Sequence, residues 1–283
     1  MKSLLVTSAH GGTGKTALVC QFAHYLRLVG GYRVLIIDLA EPPYSALSLT
    51  RGACSSATHR EPAHARRRLS PDTTAPRIRV LAANVVPGLA DRDDPGATRC
   101  YANLRHLLLQ LAPSFDVCLI DGPVWSGTRS LCAAALVDAV ACPILMSPDA
   151  LEQVDGLLNG SNGLRDVRAR LNPALHILGV VPNGVETTPR CEARLKRIEA
   201  SLAAWLVPDR RVPAGYLRLP RLNTLAQAQA QACGASVADL APDNADAQAG
   251  WHLLSGCFNV LARCLDRADG ATRQACLPEV CDA

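Results

Sequence analysis

Eight residues near the start of the chain, Ala9-His10-Gly11-Gly12-Thr13-Gly14-Lys15-Thr16, constrain its fold more than any others. The apolar run Leu4-Leu5-Val6 precedes them, and Lys15–Val29, with apolar residues at helical spacing, follows. A glycine-rich turn between a buried strand and a helix suits phosphate. Glycines let backbone N–H groups close around its oxygens, and the helix N-terminus adds a favourable dipole. In this context Lys15 supplies a mobile ammonium for β- and γ-phosphates, and Thr16 a hydroxyl for Mg²⁺. The binding segment predicted here is Gly11, Gly12, Thr13, Gly14, Lys15, Thr16 and Ala17. The general pattern G-x-x-x-x-G-K-[ST] would place glycine where this chain has Ala9, so Gly11 and Gly12 mark a variant loop. Lys15 also stands out by scarcity: among 29 Lys+Arg residues, only Lys2, Lys15 and Lys196 are lysines.

Short apolar runs and helical patterns alternate through the rest of the sequence. Strands are predicted at Ser3–Thr7, Arg33–Ile37, Arg77–Ala82, Phe115–Ile120, Val140–Met146, His176–Val181 and, briefly, Arg211–Pro213. Helices are predicted at Lys15–Val29, Arg99–Leu111, Leu131–Asp138, Leu151–Leu171, Arg190–Leu206 and Gly250–Asp266. Such alternation implies right-handed βαβ units. The fold class is therefore α/β: a single three-layer P-loop domain over residues 1–265, its mostly parallel twisted sheet flanked by helices. Residues 51–77, poor in hydrophobics and containing Arg66-Arg67-Arg68, read as a basic mobile loop or insertion. Residues 266–283 read as an acidic, weakly ordered tail.

Composition excludes other classes. Hydrophobic residues make up 49 % of the chain, and no apolar run approaches the roughly 18 residues that span a bilayer. The N-terminus lacks the long apolar stretch of a signal peptide, so a cytoplasmic protein is expected. Twelve cysteines include no C-x-x-C pair, and most lie inside apolar runs, where a reduced thiol is a small hydrophobe. Two aspartates are better placed for chemistry. Asp121 closes the run Phe115–Ile120 and precedes Gly122-Pro123, while Asp38 closes Val34-Leu35-Ile36-Ile37. A carboxylate at the carboxyl end of a strand beside a phosphate loop holds Mg²⁺ through its water shell. Thr16, Asp38 and Asp121 are thus the candidate metal residues.

These motifs resemble the ParA/MinD family of deviant-Walker-A ATPases, which segregate DNA or position cargo. The resemblance rests on His10–Thr16, Val34–Asp38 and Phe115–Pro123. It extends to Ile177-Leu178-Gly179-Val180-Val181-Pro182-Asn183, similar to a late strand whose Asn reads adenine, and to Val212-Pro213 with Leu225-Ala226-Gln227-Ala228. It implies ATP and Mg²⁺ as cofactors, Asn183 and Pro213 at the base, an ATP-dependent homodimer, non-specific DNA binding and a ParB-like adaptor. Two positions depart from the pattern. His10 stands where the family's signature lysine reaches the partner's phosphates, and imidazole is shorter and carries no permanent charge. Ala40 stands where a second aspartate orients the hydrolytic water. Glu41 is adjacent and is carried as a candidate catalytic residue with Lys15 and His10. The departures predict retained ATP·Mg²⁺ binding with slow or altered hydrolysis.

A formal net charge of +4 hides an uneven distribution. Residues 51–77 hold six cations against two acids, and residues 186–221 hold eight against four, whereas residues 222–283 hold three against seven. Arg190, Arg194 and Arg197 recur at i, i+4, i+7 and predict one helical face. With Lys196, Arg218 and Arg221 they form the candidate DNA-binding set, the alternative being an ordinary solvated face neutralised by Glu192 and Glu199. DNA binding would add nucleoid association to the cytoplasmic expectation. Three functions stay open: a partition or positioning ATPase, a catalytically weak nucleotide-binding scaffold, and a metabolic P-loop enzyme of the same superfamily. A membrane partner is not expected, because Ala275–Ala283 carries proline and acids instead of a basic amphipathic helix.

Overall fold

The computed structural model describes residues 1–40, 43, 45, 77–83, 96–125, 127–147, 149–223 and 236–275. Its strands are β1 (Lys2–Ser8), β2 (Val34–Asp38), β3 (Ile78–Ala82), β4 (Val117–Val124), β5 (Ala139–Leu145) and β6 (His176–Asn183). They lie in the order β3-β2-β4-β1-β5-β6, and every pairing between them is parallel. The helices are α1 (Lys15–Leu28), α2 (Ala97–Leu111), α3 (Thr128–Ala134), α4 (Ala150–Asn159), α5 (Leu164–Arg170), α6 (Pro189–Leu202), the single turn α7 (Val237–Leu240) and α8 (Ala245–Ala275).

Side chains alternate across a strand, so an apolar run buried on both faces supplies two cores at once. In β2, Leu35 and Ile37 enter one core and Val34 and Ile36 the other. The first core is closed by Leu104 of α2, Ala133 of α3, Val154 of α4, Val167 of α5 and Leu195 of α6. The second is closed by α1 and α8, where the Phe258 ring lies 5.4 Å from Phe22 and 5.8 Å from Tyr25. Phe258 is fully buried, and truncating such a ring to alanine costs about 3–5 kcal/mol. The three layers expected from the sequence are present.

Several boundaries differ from the expectation. The helix predicted over Leu151–Leu171 is two helices, because Gly160, Asn162 (φ 64°) and Gly163 make a turn between α4 and α5. Arg211–Pro213 is not a strand. It sits at the tip of a hairpin in which Leu217 N–H donates to Val207 O and Asp209 N–H to Gly215 O. The last helix does not stop at Asp266 but continues to Ala275, into the segment expected to be a tail. Residues 51–76, with Arg66–Arg68, and residues 276–283 lie outside the described residues. No described helix is long and apolar enough to cross a membrane.

Candidate functional site

Strand β1 lies between β4 and β5, while β2 is reached on one side and β6 on the other, so the chain order reverses around β1. Ligands of open parallel sheets bind in the crevice outside the carboxyl ends of strands at such a reversal. The glycine-rich loop leaves β1 at that point and enters α1 directly. Gly14 is the N-cap of α1 with φ 86°, and no side chain caps the first turn. The left-handed conformation suits glycine, and a Cβ there would collide with the Asn183 side-chain amide. The first amides of α1 are left for a ligand.

Inside the loop, Lys15 is almost completely buried. Its Nζ donates to Ser8 Oγ at 3.0 Å and to the His10 carbonyl at 3.1 Å. Ser8 Oγ also donates to the His10 carbonyl at 2.7 Å and lies 2.8 Å from Thr13 Oγ1. Burial lowers the pKa of the Lys15 ammonium, and Asp121 pulls it the other way. The ammonium is therefore held folded into the loop, poor in compensating negative charge.

Beneath it the register of the sheet pairs Asp38 with Asp121, both fully buried at the carboxyl ends of β2 and β4. Asp121 Oδ2 accepts Thr16 Oγ1 at 2.7 Å and Ser45 Oγ at 2.5 Å. Asp121 Oδ1 is buried and has no hydrogen-bond partner. Burial raises the Asp121 pKa, opposed by the Ser45 and Thr16 hydroxyls and by Lys15. A buried carboxylate oxygen left unpaired costs several kcal/mol, and a hydrated divalent cation would satisfy it. Thr16 and Asp121 therefore fit a Mg²⁺ shell. Asp38 differs: Oδ1 accepts Ala40 N–H at 3.0 Å and Oδ2 accepts Ser45 N–H at 2.7 Å. It organises the backbone that brings Ser45 to Asp121.

The close approach of β4 to β1 depends on Gly122. A Cβ at this position would meet Leu5 Cδ1 and Val6 O, both at 2.9 Å. Any larger residue would push Asp121 away from Thr16.

Gly11 and Gly12 are exposed at the loop, where a Cβ would meet nothing within 4 Å, and Ala17 is half-buried in the first turn of α1. His10 is exposed and uses its carbonyl to hold Lys15. Asn183 reaches the loop, donating from Nδ2 to the Thr13 carbonyl at 2.8 Å while Oδ1 accepts Gly184 N–H. Pro213 does not accompany it and is exposed in the hairpin tip. Pro220 runs beside the end of β6 instead, with Leu219 N–H donating to Pro182 O and Arg221 N–H to Val185 O. Glu41 and Leu225–Ala228 lie outside the described residues.

The basic stripe is also divided. Arg190, Lys196 and Arg197 are exposed on α6, whereas Arg194 turns inward and donates to the Met146 carbonyl. Arg221 pairs with Glu186 at 2.5 Å, and Arg218 is half-buried. Two residues that complete the site were not singled out from sequence. Ser8, the hydroxyl directly before the loop, had a signal in its position. Ser45 had none, because its partner Asp121 is 76 residues away.

A parallel sheet with a glycine-rich loop at its reversal point, a buried lysine and a strand-terminal aspartate together define a P-loop nucleotide-binding domain. The chain belongs to the CobQ/CobB/MinD/ParA nucleotide-binding domain family, which it matches over residues 4–231. It is 28 % identical to Protein IncC of Escherichia coli over 212 residues, covering 74 % of this chain and 57 % of that protein's length. Soj, a chromosome-partitioning ATPase of Thermus thermophilus, is 26 % identical over 229 residues, covering 75 % of this chain and 82 % of Soj. Among solved structures, a McdA–ATP complex from Cyanothece shares the fold with TM-score 0.65 and 18 % identity. That likeness covers 95 % of this chain and 96 % of McdA.

Proposed function

We propose that this chain is a ParA-like ATPase of DNA partition or cargo positioning, which binds ATP·Mg²⁺ at the loop and dimerises when it does so. The observation that carries this reading is the unpaired buried Oδ1 of Asp121 beside Thr16, beneath a lysine whose charge is poorly compensated. Nucleotide phosphates would satisfy Lys15 and the amides of α1, and the cation would satisfy Asp121. Similarity to Soj, a chromosome-partitioning ATPase, supports the choice of nucleotide, and the McdA complex holds ATP on the same fold.

Hydrolysis is proposed to be slow. Ala40 offers no side chain to orient water, and His10 replaces a permanent cation; one missing oriented group commonly costs about 10² in rate. The same pair favours a second reading, a nucleotide-locked scaffold that recruits a ParB-like adaptor or cargo without appreciable turnover. DNA is proposed to bind through the exposed Arg190, Lys196 and Arg197 of α6, with affinity falling steeply as salt rises. Such a protein would be cytoplasmic and associated with the nucleoid.

The test is a turnover assay beside a nucleotide titration, followed by sedimentation with ATP, ADP or no nucleotide, with and without DNA. Binding with weak turnover and ATP-dependent dimers retained on DNA is the expected result. Fast turnover that survives Glu41→Ala would overturn slow hydrolysis, and activity abolished by Glu41→Ala would make Glu41 the general base. Dimers that ignore DNA would favour the scaffold.

A further inference from the structure

A second cluster of cations lies away from the phosphate loop. The hairpin tip carries Arg210 and Arg211, and α8 carries Arg263 and Arg267 one turn apart. The four line a cavity of about 300 Å³ together with Pro208, Val260 and Cys264. Among the described residues, only one acid lines it. Asp209 is buried and is already engaged by Arg211, whose Nε and Nη2 donate to it at 2.9 Å each. Arg211 Nη2 also donates to the Gly256 carbonyl at 2.7 Å, which ties the hairpin to α8 and holds Arg210 at the same cavity. Asp266, adjacent to Arg267, is drawn off by Lys2 at 2.5 Å. Among the described residues, Arg210, Arg263 and Arg267 form no ion pair.

Like charges at i, i+4 destabilise a helix by a few tenths of a kcal/mol, and a third guanidinium from another element adds to the repulsion. A bound anion removes that cost. Guanidinium forks match the oxygens of phosphate bidentately. The volume admits one or two phosphate groups. The Lys2–Asp266 pair places this half of α8 toward the amino end of β1, and seven extended residues put about 20 Å between that end and the loop. The cavity is therefore separate from the nucleotide site.

We propose that Arg210, Arg263 and Arg267 form an oxyanion site that takes a phosphate or diphosphate group. That group belongs either to a free phosphate ester or to a nucleic-acid backbone. The test titrates inorganic pyrophosphate into the full chain with ADP and Mg²⁺ saturating, and compares wild type with R263Q/R267Q. Wild type is expected to bind one pyrophosphate beyond the loop, with affinity falling at least about tenfold in the double variant while ADP affinity stays within twofold. Pyrophosphate binding unchanged by the substitutions, or no binding beyond the loop, would overturn the site. R210Q, at the exposed hairpin tip, gives the same comparison if the helix variant does not fold. A short DNA duplex completes the assignment. Displacement of pyrophosphate by duplex in wild type identifies backbone phosphate, and pyrophosphate that stays bound beside the duplex identifies a free ester. Failure of ADP to bind either protein would count against the nucleotide reading and leave the pyrophosphate comparison intact.

Discussion

The two ends of the sheet treat their carboxylates in opposite ways. At the amino end three half-buried or exposed carboxylates are satisfied within the fold. Asp138 accepts the Ser3 N–H at 2.8 Å and its hydroxyl at 2.6 Å, Asp116 accepts Nε, Nη2 and the backbone N–H of Arg33, and Asp266 pairs with Lys2. At the carboxyl end Asp121 keeps an unpaired oxygen, and Lys15 donates only to a hydroxyl and a carbonyl. Depth alone does not explain the contrast, because Asp121 is the more deeply buried and therefore has more need of partners. The carboxylates of the amino end are finished by folding, whereas Asp121 and Lys15 at the carboxyl end are finished by a ligand.

The largest effect is expected at Lys15. Lys15→Ala removes the ammonium proposed to meet the phosphates and is expected to weaken ATP binding about 100-fold or more by calorimetry. The fold should survive, since no ion pair is lost. Gly122→Ala comes next. Its Cβ would force β4 from β1, costing about 1–3 kcal/mol of stability in denaturant unfolding and the Mg²⁺-dependent share of nucleotide affinity as well.

Asp121→Asn sharpens the contrast, because affinity and stability should move apart. In the folded ligand-free protein the Asp121 pKa is raised by burial, so the folded state holds that proton more tightly than the unfolded chain. Stability then falls as pH rises from the unfolded carboxylate value through the raised folded value, and stays lowered above it. Asparagine abolishes this loss. The ligand-free variant should melt no lower than wild type at neutral pH, while the effect of Mg²⁺ on ATP affinity disappears. A variant that melts well below wild type without ligand would mean that the Asp121 charge stabilises the empty fold.

The amino end supplies the opposite sign and the smallest effect. Arg33 holds the Asp116 pKa below the usual carboxylate range. That stabilisation is present above the unfolded value and lost as pH falls through the depressed folded value. Asp116→Asn should lower the melting temperature slightly at neutral pH, with the difference vanishing in acid and nucleotide affinity unchanged.

Much of the carboxyl end was legible before folding, because its residues are local in sequence. Gly14-Lys15-Thr16 declares the loop, and Asp38 and Asp121 each close an apolar strand. What the sequence did not convey is convergence. The pairing of β2 with β4 that sets Asp38 beside Asp121 is a matter of strand order, and Ser45 reaches Asp121 only through it. The turn at Gly160–Gly163 was written in residues that favour turns, yet the flanking helical periodicity masked it. Val212-Pro213 resembled a base-packing segment, but the hairpin carries Pro213 outward and sets Pro220 beside β6. The arginine cavity was invisible for the same reason, its halves lying at residues 210–211 and 263–267.

The most direct test of a carboxyl end completed by its ligand is an ATP titration of wild type and Lys15→Ala, each with and without Mg²⁺. Tight binding by wild type that Mg²⁺ strengthens is expected, with loss of about 100-fold or more in the variant. ATP binding of equal strength in both proteins, or indifferent to Mg²⁺ in wild type, would contradict a carboxyl end completed in this way.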